Sequence, residues 1–525
     1  MARYINKGNE GFRNSLNGEY VDKTGLIAVV NRTLNTERRY SCVTRCRRFG
    51  KSMAANMLGA YYDKSCDSKA LFEGLEIAGD TSFDRFLNAF PVIKLDITDF
   101  TTKYSGDRNI VKHIQKALKD ELLESYPNVK CNAGDDLMDV LTNIVAYTKE
   151  KFIFIIDEWD AICREFDSAS GVMDDYVNLL RRLFKGGSSS DVFAGAYMTG
   201  ILPIKRYNTQ SALNNFREYS VVMPGKMDRF FGFVPSEVER LTEKGDVSVD
   251  ELRDWYDGYH IGKEPSVYNP YSVIEAISRG FCESFWSSTS AYDSISTYVG
   301  MNYEGLKDDI IYMLSGGHCD VDTTGFENDP AMVKTKDDVL TILIHLGYLA
   351  YDWDNKQCYK PNKEVALQME KAVKACGWQH LNAALDASKR LLADTLDMNE
   401  GAVAHGIDVA HDDNTSILSY NDENSLACVV SIAYYYARNS YIVHRELATG
   451  KGFADVVMIP RRGIKYPALV IELKCDRSAD AAIDQIHRKL YPVKISEYSG
   501  EMLLVGINYD KKTKAHTCKI EKIVL

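Results

Sequence analysis

The clearest apolar run in the chain is Phe152-Ile153-Phe154-Ile155-Ile156, closed by Asp157-Glu158. A run this short, unbroken and rich in β-branched residues predicts a strand buried on both faces, as in a parallel sheet. Similar runs stand at Tyr40-Ser41-Cys42-Val43-Thr44, at Pro91-Val92-Ile93-Lys94-Leu95-Asp96-Ile97-Thr98, and at 192–198, which ends in Thr199-Gly200. Between them the spacing turns helical. Met53, Met57, Leu58 and Tyr61 share one face over 53–62, and helices are expected over about 109–124 and 135–148. Strands alternating with helices predict an α/β domain built on a parallel sheet.

Past residue 230 the pattern changes. Residues 231–288 read as a small helical lid begun by 234–242, with the aromatics of 255–259 packing it onto the preceding domain rather than forming a base-stacking platform. Val339, Leu340, Leu343 and Leu346 mark a helix that runs into strand-like pieces near 348–351 and 358–360. That is the pattern of a winged-helix unit, although Asp337, Asp338, Asp352 and Asp354 argue against a wing that reads DNA. A helical stretch over 369–396 leads to 399–414, whose Gly, Asp and Asn content predicts a boundary loop. The last stretch predicts a helix from Glu423 to about 438, with Leu426, Val429, Val430 and Ala433 inward. Strands at 441–446, 452–459 and 468–474, a helix at 479–490 and a last strand at 502–507 follow.

At 525 residues the chain is long for one core and predicts three or four domains. Apolar content of 45% and charged content of 26% are those of a folded, soluble protein. The polar N-terminus is no secretory signal and no apolar run approaches the ~20 residues a bilayer requires, so a cytoplasmic protein without a membrane partner is expected. Twelve cysteines without a Cys-x-x-Cys pair read as core thiols. The net charge of −11 argues against indiscriminate coating of nucleic acid. Residues 441–525 carry 15 Lys+Arg against 10 Asp+Glu, a net of +5 that leaves −16 on the first 440. A basic tail on an acidic body suits a C-terminal domain that contacts nucleic acid, and equally a solvated face.

The candidate chemistry begins after the first strand. Arg45-Cys46-Arg47-Arg48-Phe49-Gly50-Lys51-Ser52 ends like a phosphate-binding loop and lies between a strand and a helix, although Arg45 stands where the full pattern begins with Gly. Amides at a helix N-terminus cradle phosphate, the Lys reaches the outer phosphates, and the Ser hydroxyl suits Mg²⁺. Asp157 and Glu158 stand at a strand's C-terminal end, where α/β sheets bind ligands. Asp157 would serve the Mg²⁺ shell and Glu158 would polarise the attacking water. Thr199, at the next strand end, is the candidate sensor of the γ-phosphate; Lys205, Arg206 and Arg217 would contact phosphate or solvent.

Several longer motifs accompany these. They are Tyr20-Val21-Asp22-Lys23-Thr24, Leu71-Phe72-Glu73-Gly74-Leu75, Ile156-Asp157-Glu158-Trp159-Asp160, Thr199-Gly200-Ile201-Leu202-Pro203-Ile204-Lys205, Ser211-Ala212-Leu213-Asn214-Asn215-Phe216, Trp255-Tyr256-Asp257-Gly258-Tyr259 and Tyr268-Asn269-Pro270-Tyr271-Ser272. With them, residues 5–275 resemble a bacterial and archaeal family of AAA-ATPase-like proteins. That family also lacks the first Gly of the loop, and it usually has Pro where this chain has Cys46. The resemblance implies ATP binding through Arg47, Arg48, Phe49, Gly50, Lys51, Ser52, Asp157 and Thr199, with hydrolysis less firmly implied.

A second constellation lies near the other end. Asp455 on one strand and Glu472-x-Lys474 on the next have the spacing of the PD-(D/E)XK nuclease superfamily, and the surrounding residues 415–510 resemble the nuclease-like domain that often follows this ATPase family. Glu472 and Lys474, two apart on a strand, face the same side. Two carboxylates, Asp455 and Glu472, suit Mg²⁺, and Lys474 suits activation of water and the developing charge; Glu423 is a further metal candidate. Gln485-Ile486-x-x-Lys489-x-Tyr491 downstream adds to the resemblance. An ordinary salt-bridged Glu-x-Lys is the plainer alternative.

The expected architecture is an AAA-like P-loop ATPase core over 1–230, a helical lid over 231–290, a helical, winged-helix-like unit over 291–398 and a PD-(D/E)XK nuclease-like α/β domain over 415–525. The expected function is ATP hydrolysis coupled to Mg²⁺-dependent action on nucleic acid, DNA ahead of RNA. The alternative is an ATP-dependent switch whose nuclease fold recognises DNA or a partner without cutting. A small-molecule kinase would leave Asp157-Glu158 and the accessory domains unexplained.

Overall fold

The computed structural model describes residues 3–524 except 133, 167–169, 205, 208–209, 212, 244–245, 287–290, 302, 315, 328–332, 376–378, 415–428, 431–432, 450–451, 461–463 and 490–500. The chain separates into two compact units, Met1–Ala291 with Asp320–Leu367, and Tyr292–Cys319 with Gln368–Leu525.

The first unit is organised by a parallel sheet. Strand β1 (Tyr40–Thr44) leads through the phosphate loop into α1 (Lys51–Tyr62). Then come β2 (Val92–Asp96), α2 (Ile97–Lys103), β3 (Phe152–Asp157), β4 (Phe193–Gly200) and the short β5 (Arg217–Tyr219). The strands lie in the order β2-β3-β4-β1-β5, all parallel. Every residue of β1, β3 and β4 is buried, as their unbroken apolar runs require. Alternate residues feed two cores. Val43, Ile153, Ile155 and Tyr197 pack with Met57 and Leu58 of α1, while Cys42, Phe154, Ile156 and Met198 pack with the helices Ile110–Ser125 and Leu137–Thr148 on the opposite face. The expected strand over 91–98 ends at Asp96, because Asp96 accepts the Thr98 N–H (2.9 Å) and so caps α2.

Helices Pro235–Thr242, Val249–Tyr256 and α3 (Pro270–Arg279), with a hairpin of Tyr259–Ile261 and Glu264–Val267, follow the sheet. Tyr256 and Tyr259 are buried in packing, so those aromatics are core and not an open stacking platform. Helix α4 (Lys336–Leu346) is closed by a Thr335/Asp338 capping box and by Gly347 in the left-handed region, then runs into an antiparallel hairpin, Ala350–Asp352 with Gln357–Tyr359.

In the second unit, α5 (Gln379–Leu396) and α6 (Glu400–Asn414) precede strands β6 (Tyr441–Thr449), β7 (Gly452–Pro460) and β8 (Ala468–Cys475), helix α7 (Ala479–Lys489), and strands β9 (Glu501–Asp510) and β10 (Ala515–Val524). The sheet runs β6 to β10 in order, antiparallel except for the β8–β9 pair that α7 connects. Two expectations are corrected here. Of the expected loop over 399–414, Glu400–Asn414 form a helix, because Val403 and Ile407, four apart, are buried against Leu391 and its neighbours, and Asn399 caps the start through the Ala402 N–H (3.3 Å). The sheet also does not end at 507: Asp510 accepts the Lys512 and Thr513 N–H groups, turning the chain into β10. No helix among the described residues is long and apolar enough to cross a membrane.

Candidate functional site

The phosphate loop is shaped by two left-handed residues, Arg48 (φ 68°) and Gly50 (φ 86°). Gly50 is the N-cap of α1, and nothing lies within 4 Å of where its Cβ would stand. Its requirement is therefore conformational. Lys51, the first residue of α1, is only 4% exposed. Its Nζ donates to the Cys46 carbonyl at 3.0 Å and stands 3.7 Å from Glu158 Oε1, so the side chain bridges its own loop to the end of β3. Ser52 follows, and its hydroxyl acts on the nearby Asp157 carboxyl, lowering its pKa.

Asp157 is 3% exposed. Burial, with the neighbouring Glu158 and Asp96 carboxylates, pushes it up to about 6, against the pull of the Ser52 hydroxyl and Lys51. Glu158 has φ 49° and accepts from Arg164 Nη2 at 2.6 Å. Arg164 also donates to Asp160 (3.1 Å), whose fully buried carboxylate takes the Ile201 N–H at 3.1 Å and the Leu202 N–H at 2.9 Å. Trp159 adds its backbone N–H to the Thr199 carbonyl (2.9 Å) and its indole N–H to the Leu202 carbonyl (3.1 Å). Together Trp159 and Asp160 staple the exit of β3 to the exit of β4. Gly200 has to be glycine there, since a Cβ would stand 2.3 Å from Asp160 Oδ1 and 2.6 Å from Trp159 Cδ1.

Thr199 pairs in register with Val43 of β1, and its buried Oγ1 has no hydrogen-bond partner among the described residues. Thus Lys51, Ser52, Asp157, Glu158 and Thr199 gather at the C-terminal edge of one sheet. Phe49 has a packing role, its ring edge-on to Tyr259 at 5.1 Å. Arg47 lies among Arg164, Tyr348, Glu158 and Asp160, and burial, then the Arg164 charge, lower its pKa. Arg48 donates to the Phe285 carbonyl (3.0 Å) and lies 3.9 Å over the Tyr271 ring. Arg217 is exposed on β5; Lys205 and the Arg206 side chain lie outside the described residues.

A cavity of about 410 Å³ opens beside the loop. Glu19, Lys23, Arg48, Lys51, Ser52 and Glu158 line it together with Tyr20, Val21, Met57, Phe233, Tyr271 and Ile274. That is a pocket of ligand size lined by both charged groups and rings. The apolar part, Arg164, Trp159 and Asp160 were not foreseen as site residues. Their motifs were visible in the sequence, but no spacing rule tied them to the phosphate loop.

In the second unit, Asp455 of β7 accepts the Leu473 N–H of β8 at 2.8 Å. Glu472 is 1% exposed, and Lys474 Nζ donates to its Oε1 at 3.1 Å and to the Leu473 carbonyl at 2.8 Å. The Gln485 amide, from α7, also bonds Glu472 Oε1. Asp455, Glu472, Lys474 and Gln485 are thereby brought together; Glu423 and Tyr491 lie outside the described residues. Both sites carry donors that fit a hard divalent cation, the Ser52 hydroxyl with Asp157 in one and Asp455 with Glu472 in the other. Mg²⁺ takes one or two carboxylates and keeps water for the rest. Among the described residues no three His, Cys, Asp or Glu form a full protein cage.

Residues 11–209 match the family model of the predicted AAA-ATPases, and residues 421–518 that of the PD-(D/E)XK nuclease superfamily. No curated protein matches the chain. Among solved structures, Cdc6p of Pyrobaculum aerophilum matches at 11% identity over 71% of this chain and 99% of its own, with a TM-score of 0.26. The Aeropyrum pernix ORC2 protein, in ADPNP–ADP complexes, matches at 10% over 71% and 99% with a TM-score of 0.30. The Aeropyrum pernix ORC1 protein in complex with DNA matches at 10% over 71% and 98% with a TM-score of 0.25. Two separate stretches of the chain are thus similar to two known families, residues 11–209 to the predicted AAA-ATPases and residues 421–518 to the PD-(D/E)XK nuclease superfamily.

Proposed function

We propose that the protein binds and hydrolyses ATP at the phosphate-loop cavity and that its C-terminal domain cleaves nucleic acid. The observation that carries the first part is the convergence of Lys51, Ser52, Asp157, Glu158 and the buried Thr199 hydroxyl, without a hydrogen-bond partner among the described residues, on one sheet edge beside a cavity of about 410 Å³. The α1 amides and Lys51 would take the outer phosphates, while the rings of Tyr20 and Tyr271 suit a base. Glu158, oriented by Arg164, would align the attacking water, and Thr199 would bond the γ-phosphate. Ser52 with Asp157, and Asp455 with Glu472, would hold Mg²⁺, which when bound neutralises phosphate charge and polarises the scissile bond. Lys474 would stabilise the charge that develops at the phosphodiester.

ATP turnover and plasmid cleavage by the purified chain, each with and without Mg²⁺, test both halves. Lys51→Ala should lose ATP turnover with its circular dichroism unchanged, and full turnover would show that this loop is not the phosphate site. Asp455→Ala should lose cleavage while ATP turnover persists. If wild type and Asp455→Ala leave DNA equally intact yet bind it, the C-terminal domain is a recognition module and the switch reading takes its place. Stimulation of ATP turnover by DNA would couple the two ends.

A further inference from the structure

A third polar residue stands in the row of strand ends, and the roles above do not use it. Asp96, the last residue of β2, is in register with Asp157 of β3, and Thr199 follows Met198, the β4 partner of Ile156. Residues in register across parallel strands share a face. That face is identified by Gly59 of α1: where its Cβ would stand, Lys94 Cδ lies 3.6 Å away and Ile155 Cδ1 3.9 Å. Two residues further along each strand, Asp96 and Asp157 therefore point to the side of α1, whose first turn carries Lys51 and Ser52.

We propose that Asp96 is a second carboxylate for the divalent cation of the nucleotide site, holding part of its water shell beside Asp157. The inference rests on the ATP-site reading and deepens it. A capping role alone does not explain the residue. Asp96 Oδ1 accepts the Thr98 N–H, a task that Ser, Thr or Asn performs equally well without adding charge. The charge is added where it is least welcome, since Asp96, Asp157 and Glu158 interact as like charges in a partly desolvated edge. Two cations face these three carboxylates, Lys94 towards Asp157 and Asp96 and Lys51 towards Asp157 and Glu158, while Arg164 is held by Glu158 and Asp160. An independent sign that the edge is built for a ligand is the Thr199 Oγ1, fully buried and without a hydrogen-bond partner among the described residues.

Asp96→Asn separates the two roles, because Asn keeps the capping oxygen and removes the charge. The measurement is Mn²⁺ affinity of the full-length protein saturated with a non-hydrolysable ATP analogue, read by electron paramagnetic resonance. Nucleotide affinity in EDTA and circular dichroism are measured alongside. The expected result is Mn²⁺ binding weakened by about ten-fold or more, with EDTA-state nucleotide binding and the spectrum unchanged. Asp96→Ser, which also caps, should reproduce it. Mn²⁺ affinity within two-fold of wild type in both variants would reduce Asp96 to a helix cap and overturn the proposal while leaving the ATP site standing. A wild-type chain that binds no nucleotide would instead overturn the ATP-site reading, and the proposal with it.

Discussion

Asp160 tests the idea that the ends of β3 and β4 are stapled together. Its carboxylate, fully buried, accepts the Ile201 N–H at 3.1 Å, the Leu202 N–H at 2.9 Å and the Arg164 guanidinium at 3.1 Å. Asp160→Ala orphans two backbone donors, each costing about 1–3 kcal/mol when left buried and unpaired. Arg164 keeps Glu158 as a partner, so its own loss is smaller. The sum is a destabilisation of about 2–6 kcal/mol for the first unit. Asp160→Asn retains one acceptor oxygen and should lose roughly half of that. The assay is urea unfolding followed by tryptophan fluorescence, read at the transition that includes Trp159. With an m-value of about 3 kcal/mol/M, the Ala variant should lower that midpoint by on the order of 1 M, and the Asn variant by about half as much. Equal midpoints for wild type and Asp160→Ala would refute the reasoning, because the Ile201 and Leu202 donors would then have to be satisfied without Asp160.

Two further outcomes follow from the same geometry. Gly200→Ala places a methyl 2.3 Å from Asp160 Oδ1, and such overpacking should lower stability by about 1–3 kcal/mol in the same urea assay; an unchanged midpoint would show that the staple can shift aside. Glu364 is buried and accepts the Ser272 hydroxyl (2.8 Å) and the Phe285 and Trp286 N–H groups (2.7 and 3.1 Å), yet burial still pushes its pKa up from 4.5 to about 7. Between those values the folded chain holds a proton that the unfolded chain has released, so the contribution of Glu364 to stability is greatest below about 4.5 and falls as pH rises to about 7, by on the order of 3 kcal/mol. Glu364→Gln should remove that slope, so its midpoint relative to wild type should rise between pH 5 and pH 8; parallel curves would show that the carboxyl titrates normally.

What the sequence made legible follows a physical line. The buried strands were readable because full burial demands unbroken apolar runs: the run at 40–44 became β1 with the same bounds, and 152–156 became β3. Elements failed to show where pattern and composition disagreed. Val403 and Ile407 held the helical spacing of α6, but the Gly, Asp and Asn around them read as loop. In β10 only His516 and Ile520 are buried, four residues apart, and Thr517, Lys519, Glu521 and Lys522 around them hid the strand. At Asp96 the β-branched Ile97 and Thr98 continued a strand pattern that the Asp96 cap interrupts. In the site, residues whose chemistry lies within one element were found, such as Lys51-Ser52 and Glu472-x-Lys474. Asp160 and Gln485 were harder because their partners come from another strand or helix, which spacing along the chain does not reveal.

Arg45 shows how far such a partner can change the meaning of a motif. In the sequence it stands where the full phosphate-loop pattern begins with Gly, beside Arg47 and Arg48. In the fold it is 0% exposed and turned away from the cavity. Its guanidinium donates to the carbonyls of Thr44 (2.8 Å), Tyr219 (2.7 Å) and Met227 (2.9 Å) and packs on the Phe231 ring, while its backbone N–H meets Gly200. Burial lowers its pKa to about 10, which leaves it charged at neutral pH, and three aligned carbonyl dipoles are what make a desolvated charge tolerable there. The three arginines of the loop therefore divide by direction. Arg45 ties β1 to β5 and to the turn at 225–230, Arg47 stands against the Glu158–Arg164 pair, and Arg48 borders the cavity. A glycine at position 45 would supply none of the three carbonyl bonds, so the departure from the phosphate-loop pattern has a structural reason and takes nothing from the site that Lys51 and Ser52 form.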